Sequence, residues 1–200
     1  MIKVGITGGI GSGKSYVCKK LHDRGLPVYS CDDEAKRLMT ESDEIVTALT
    51  GLVGDDAYIN GQLNKPRVAA FLFSDTKNAE KINAIVHPVV KQDFLKWAEQ
   101  QTSDMVIQEC AILFESGFSD TVDCTIEVYA PQALRLQRAM ARDAATKEQI
   151  TARMSQQMNE EEKKRRADFC IMNDELHNLD SEIERTLSLI RQDKAIQETD

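Results

Sequence analysis

Apolar positions along this chain follow two rhythms. Short apolar or β-branched runs occur at Ile2–Ile6, Leu26–Ser30, Met105–Leu113, Val122–Tyr129 and Asp168–Met172, and each reads as a strand. Between them the apolar residues recur at helical spacing. Helices are predicted from Lys14 to Arg24, where Gly25 ends the first. Others follow Cys31-Asp32-Asp33 through Met39, cover Ser42–Leu52, and fill much of Pro131–Arg165 and Leu176–Arg191. A helix-only stretch interrupts this alternation, with segments at Pro66–Phe73, Asp75–Val86 and Pro88–Gln101. Pro88 is read there as a first-turn proline. Asp55–Leu63 is a turn-rich connection containing Asn60-Gly61. Strands alternating with helices predict an α/β three-layer fold with a five-stranded parallel sheet, and the helix-only stretch is an insertion into it.

The first strand runs into a turn, KVGITGGIGSGKSY from Lys3 to Tyr16, and Gly8–Ser15 spells G-x-x-x-x-G-K-S. This is the P-loop pattern, in the strand–turn–helix order it requires. Glycine lets the backbone of Gly8, Gly9, Ile10, Gly11, Ser12 and Gly13 curl its N–H groups inward onto phosphate oxygens. Lys14 supplies a mobile positive charge, Ser15 a hydroxyl for Mg²⁺, and the following helix the positive end of its dipole. The turn implies a bound nucleoside triphosphate and leaves switch, motor and kinase all open. The domains expected are a nucleotide-binding core of residues 1–55, 102–134 and 167–200, a helical insertion of 56–101 over the site, which the family resemblance given below makes the acceptor domain, and a lid of 135–166.

Charge sharpens this picture. The 200 residues carry a formal charge of −8, which argues against nonspecific nucleic-acid binding. Gln132–Arg166 nevertheless holds nine Lys/Arg against five acids, a local site for a small polyanion such as ATP. With no run of eighteen apolar residues and no leader pattern, a cytoplasmic protein without membrane contact is expected. The five cysteines (Cys18, Cys31, Cys110, Cys124, Cys170) are scattered and read as reduced thiols. No His, Cys and carboxylate grouping has zinc spacing, so metal binding is expected only as Mg²⁺ with ATP.

Asp32 follows the second strand, where a parallel sheet binds its ligands. It either deprotonates an acceptor hydroxyl or caps the next helix, and spacing leaves both open. Arg135, Arg138 and Arg142 share a helix face with no intervening acid, which suggests a mobile lid over ATP, against the alternative of a solvated face with an Arg138–Asp143 pair. Lys163–Arg166 follows Glu160–Glu162 and is expected to be solvated. His87 is a candidate contact for a substrate phosphate, and His22 and His177 are assigned nothing.

Taken together, these stretches resemble the dephospho-CoA kinase family over nearly the whole chain. The resemblance rests on Ile6–Ser15, Val28-Tyr29-Ser30-Cys31-Asp32, Ile85-Val86-His87-Pro88, Ile112-Leu113-Phe114-Glu115, Leu134–Arg138, Arg142-Asp143 and Asp168–Asn173, in order. It implies phosphorylation of the ribose 3′-hydroxyl of dephospho-CoA by ATP, the last step of coenzyme A synthesis. Asp32 then becomes the catalytic base, and Lys14, Arg138 and Arg142 stabilise the transferring group. Tyr16 meets the α-phosphate through its N–H, Asn173 lies near the base, and Thr7 and His87 join Asp32 on the acceptor side. Such an enzyme would need no nucleic acid and work as a monomer or weak homo-oligomer. Tyr16, Ser30, Lys65 and Ala111 depart from the family's usual residues without removing a group the chemistry needs. The nearest rival is a P-loop kinase of another small hydroxyl acceptor, such as a nucleoside monophosphate. A GTPase switch would carry N-K-x-D, and Asn64-Lys65-Pro66-Arg67 lacks the aspartate.

Overall fold

The computed structural model describes residues 1–197. Packing divides them into two compact units, one of Met1–Tyr29 with Gln101 onward and one of Ser30–Gln100.

In chain order the elements are β1 (Ile2–Thr7), α1 (Lys14–His22), β2 (Val28–Ser30), α2 (Cys31–Glu41) and α3 (Asp43–Val53). A small hairpin of β3 (Tyr58–Ile59) and β4 (Gln62–Leu63) precedes α4 (Lys65–Ser74) and α5 (Asn78–Glu99). Then come β5 (Met105–Glu109), β6 (Cys124–Tyr129), α6 (Gln132–Asp143), α7 (Lys147–Met154), α8 (Glu160–Arg166), β7 (Phe169–Met172) and α9 (Leu179–Gln197).

The sheet has the order β2-β5-β1-β6-β7. β1 pairs in parallel with β5 (Val4 opposite Ile107) and with β6 (Thr7 opposite Glu127), and β6 pairs in parallel with β7. Strand alternation sorts the side chains. Val4 and Ile6 of β1 and Ile126 and Val128 of β6 join Val17 and Leu21 of α1 and Ile183, Leu187 and Ile190 of α9 in one buried core. Gly5, Thr7 and Glu127 fall on the alternate positions, facing the other side. Added at Gly5, a Cβ would press on Leu113 and Val122 at 3.0–3.1 Å, so a glycine is what lets the chain after β5 pack there. That packing explains one departure from the sequence pattern. β5 stops at Glu109, and the apolar residues up to Leu113 form a buried turn closed by Ser116 N–H on the Ile112 carbonyl.

In the second unit α2, α3 and α4 all pack on α5. Positions 31–55 therefore fold with the helices of 56–101. Ser42 caps α3 and Asn64 caps α4 through their side-chain oxygens. Asn60 and Gly61 both sit at positive φ (51° and 74°), the two-residue turn their pairing suggests. Pro88 differs from expectation: it lies inside α5, which runs unbroken for 22 residues. The buried stripe Ile82, Val86, Val90, Phe94, Ala98 continues through it at four-residue intervals, while Pro88 faces solvent. Burial of that stripe outweighs the one N–H that proline withholds from the Ala84 carbonyl. Among the described residues no helix is long and apolar enough to cross a membrane.

An interior proline costs a helix about 3 kcal/mol, part of which is offset by its stiffening of the unfolded chain. Pro88→Ala is therefore expected to stabilise the protein by about 2 kcal/mol. An upward shift of the urea midpoint checks this, and an unmoved or lowered midpoint contradicts it.

Candidate active site

The strand order reverses about β1, with β5 on one side and β6 on the other, and a parallel sheet opens its binding crevice at such a point beyond the strand ends. Residues Gly8–Gly13 fill that place. Gly11 and Gly13 have φ of 81° and 91°, and Gly13 is the N-cap of α1 with no side chain closing the helix end. The first-turn amides of α1 are thus left for an anion. The loop has almost no spare volume. A Cβ on Gly11 would overlap the Arg135 carbonyl, one on Gly13 the Asn173 amide, and one on Gly9 the Glu160 carboxylate and Arg135 guanidinium.

Lys14 and Ser15 turn toward the end of β5, where both donate to Oε1 of Glu109, Ser15 Oγ at 2.9 Å. Lys14 and Glu109 are largely buried, so their ion pair is poorly screened. Sequence reasoning passed over Glu109, although it ends the strand beside the P-loop strand. Its place in an apolar run disguised it. The same holds for two contacts from the 135–166 region. Gly9 N–H donates to Glu160 Oε2 at 3.2 Å, and Ile10 N–H donates to Gln157 Oε1 at 3.0 Å.

The three arginines of α6 part company. Arg135 is buried, its guanidinium 3.5 Å from Glu160 Oε1 and donating to the Ile10 carbonyl at 3.4 Å. Arg138 donates to the Asn173 carbonyl at 2.9 Å and to Glu175 at 3.1 Å. Asn173 in turn donates to the Ser12 carbonyl at 2.7 Å, which brings Arg138, Asn173 and the loop together. Arg142 is exposed and grips Asp143 with two bonds of 2.7 and 3.1 Å. Asp143 thus pairs with Arg142 and Arg153, not with Arg138, and both hold its carboxyl far below the usual range. The charged block of α8 is also corrected: Glu160 and Lys163 are buried, Lys163 donating to the Ala111 carbonyl at 2.8 Å and lying 3.3 Å from Glu115. The helix has to bury one side because it packs on β6.

Thr7 is buried and donates to the Ala111 carbonyl at 3.3 Å. Tyr16 stands exposed on α1 with Lys20 5.3 Å from its ring. In the second unit the cap of α2 is Ser30, whose Oγ accepts the Asp33 N–H. Asp32 is therefore not the cap. It is exposed in the first turn of α2, and among the described residues no hydrogen bond or ion pair engages its carboxylate. Asp33 pairs with Lys36 instead. His87 is half-buried, and burial, then the charge of Lys91, lowers its pKa, so the ring is neutral at pH 7. No disulfide joins any of the five cysteines; burial pushes Cys18 and Cys124 up to about 12 and Cys170 to about 11, which makes these three poor nucleophiles.

A phosphate-binding turn, a lysine and hydroxyl converging on one carboxylate, and arginines from the next helix together suit positioning and charge stabilisation in phosphoryl transfer. The family model described as dephospho-CoA kinase matches residues 2–178. A dephospho-CoA kinase of Bacteroides fragilis is 47% identical over 174 residues, covering 86% of this chain and 85% of its own. One of Porphyromonas gingivalis is 44% identical, covering 96% and 95%. A crystal structure from Thermus thermophilus superposes with a TM-score of 0.79 at 33% identity, covering 96% of this chain and 97% of the other.

The crowding around the loop separates two glycines of similar φ. Gly11→Ala drives a Cβ into backbone and is expected to weaken ATP binding at least about tenfold by titration calorimetry. Gly25→Ala, at φ 86° with nothing within 4 Å, should cost about 1 kcal/mol of stability and leave ATP affinity alone. Equal effects of the two would contradict the assignment of the loop.

Proposed function

The chain belongs to the dephospho-CoA kinase family, and from that premise we propose how its residues divide the work of ATP-dependent phosphorylation of dephospho-CoA. The observation that carries the reading is the convergence of Lys14 and Ser15 on Glu109 at the mouth of the Gly8–Ser15 loop.

Within the Gly8–Ser15 loop the amides of Gly9, Ile10 and Ser12 are engaged by Glu160, Gln157 and the Gly9 carbonyl, so those of Gly11, Gly13, Lys14 and Ser15, with that of Tyr16, hold the triphosphate, aided by the open N-terminus of α1. Lys14 leaves Glu109 for the outer phosphates and steadies the charge that develops on the transferring group. The donors beside the loop suit Mg²⁺, a hard cation that takes oxygen ligands: the Ser15 hydroxyl and the Glu109 carboxylate would hold it. Bound there, the ion would supply positive charge to neutralise the triphosphate. Arg138, close to Asn173 and the loop, and Arg142, which lets go of Asp143 for the phosphates, add positive charge from the α6–α8 lid. Asn173 borders the base of ATP.

Asp32 orients the 3′-hydroxyl of the acceptor ribose and takes its proton. Its exposed, uncapped carboxylate at the first turn of α2 supports this role, because a capping aspartate would be occupied. Dephospho-CoA is held by the helical unit Ser30–Gln100, with the neutral His87 ring as a contact for an acceptor phosphate; Thr7, fully buried and bonded to the Ala111 carbonyl, is not open to it. The acidic overall charge fits small-molecule partners rather than nonspecific nucleic-acid binding, and the same reading has the enzyme at work in the cytoplasm, away from membranes, as a monomer or weak homo-oligomer.

Mixing purified protein with Mg-ATP and dephospho-CoA should give coenzyme A, detected by mass as one added phosphate. Asp32→Asn should keep ATP affinity and lose about 10²–10⁴-fold of turnover. Turnover near wild type would remove Asp32 as base. Glu109→Gln should raise the Mg²⁺ concentration for half-maximal rate by about 10–100-fold, and an unchanged requirement would free Glu109 of that task.

A further inference from the structure

One acidic group stands outside the mechanism. Glu127 lies in the middle of β6, opposite Thr7 of β1, and is fully buried. Neither of its carboxyl oxygens accepts a hydrogen bond from any donor among the described residues. The groups that face it are Glu160 and Lys163 from α8, Arg135 from α6 and Cys170 from β7. Lys163 is engaged with the Ala111 carbonyl and Glu115, and Arg135 with Glu160 and the Ile10 carbonyl. Glu160 already accepts the Gly9 N–H on one oxygen and faces Arg135 with the other.

Two buried carboxylates in contact repel, and no hydrogen bond joins them unless one holds a proton. A single proton eases both problems at once. It gives one Glu127 oxygen a partner and leaves Glu160 the one negative charge that Gly9 N–H and Arg135 require. We propose that Glu127 is a positioning residue for the phosphate loop: as a neutral carboxyl it donates to Glu160 and so keeps α8 fastened to the Gly9 amide. It touches no substrate and acts through Glu160. This goes beyond the kinase reading and needs nothing of the acceptor.

The electrostatics agree with the geometry. Burial, then the charge and hydrogen bond of Glu160, push Glu127 up to about 9, against smaller opposing effects of Lys163 and Arg135. Between the ordinary carboxylate value of 4.5 and about 9 the folded protein holds a proton that the unfolded chain has lost. Folding therefore binds a proton across that window, and the wild type loses stability as pH rises through it. Above about 9 the proton is gone from both states, the loss levels off, and Glu127 and Glu160 oppose each other beside Gly9.

The test compares wild type with Glu127→Gln, which keeps a donor and cannot ionise. The melting temperature of the variant minus that of wild type should climb from about pH 5 to about pH 9 and then level off. Over the same titration, wild-type ATP affinity should fall about tenfold above pH 9, the scale of one charge-assisted hydrogen bond, and the variant should not show that step. A protonated-carboxyl band in the infrared spectrum at neutral pH should be missing from the variant. Should Glu127→Gln fold poorly, Glu160→Gln removes the like charge and should shorten the stability window from its alkaline side. A pH-independent melting difference overturns the shared proton. An alkaline step in ATP affinity equal in wild type and Glu127→Gln overturns the positioning role. Both readouts stand whether or not dephospho-CoA is the acceptor.

Discussion

The glycines of the phosphate loop are hemmed in by other parts of the fold, and only hydrogen fits where their side chains would point. The Arg135 carbonyl presses on Gly11, the Asn173 amide on Gly13, and the Glu160 carboxylate on Gly9. Elements far apart in sequence are thus assembled around one bare stretch of backbone. α6, α8 and the turn after β7 reach it through Arg135, Glu160 and Asn173, and β5 reaches it through Glu109. A loop so enclosed keeps its amides aimed without a ligand to hold them, so little conformational freedom remains to be lost when phosphate arrives. The same enclosure makes the surrounding polar groups interdependent, since each satisfies an atom that another has buried.

Much of this was legible in the sequence. The five strands, their alternation with helices and the P-loop follow from apolar period and glycine spacing, because those signals are local. The Asn60-Gly61 turn was legible for the same reason. What escaped is non-local. Pro88 reads as a helix start only until the buried stripe on either side of it is known to face one partner surface. The arginines of α6 look alike in sequence, and α8 looks like a charged surface helix. Which of Arg135, Arg138 and Arg142 turns inward, and that Glu160 and Lys163 are buried, depends on what packs against each helix. Likewise Glu109 and Glu127 sit in strands whose composition says only that they are buried. Asp32 was ambiguous between base and cap, and the position of Ser30 as cap settles that half of the question.

Around the loop the positive charge of Arg135, Lys163 and Lys14 is matched within the fold by Glu160, Glu115 and Glu109. The cations of the local basic segment thus divide into two populations. Arg135 and Lys163 are structural, held in buried pairs whose breaking would strand a charge. Arg142 lies at the surface in a pair worth little to stability, which leaves it inexpensive to move. The lid proposed for 135–166 would need this division, with some charges fixed to carry the frame and others free to change partners.

The contact of Lys14 and Ser15 with Glu109 has one more consequence. A resting loop with a bare lysine would be a general trap for chloride, sulfate or inorganic phosphate from the surrounding salt. Here the trap is already occupied by the protein's own anion. A visitor with one or two charges and no divalent cation must displace a carboxylate at hydrogen-bond distance and gains little by doing so. On the roles proposed for Lys14 and Glu109, a triphosphate that arrives with its metal would offer Lys14 more charge and give Glu109 a new cation to face. The internal ion pair would then act as a threshold, sorting anions by valence before any of them is read by shape.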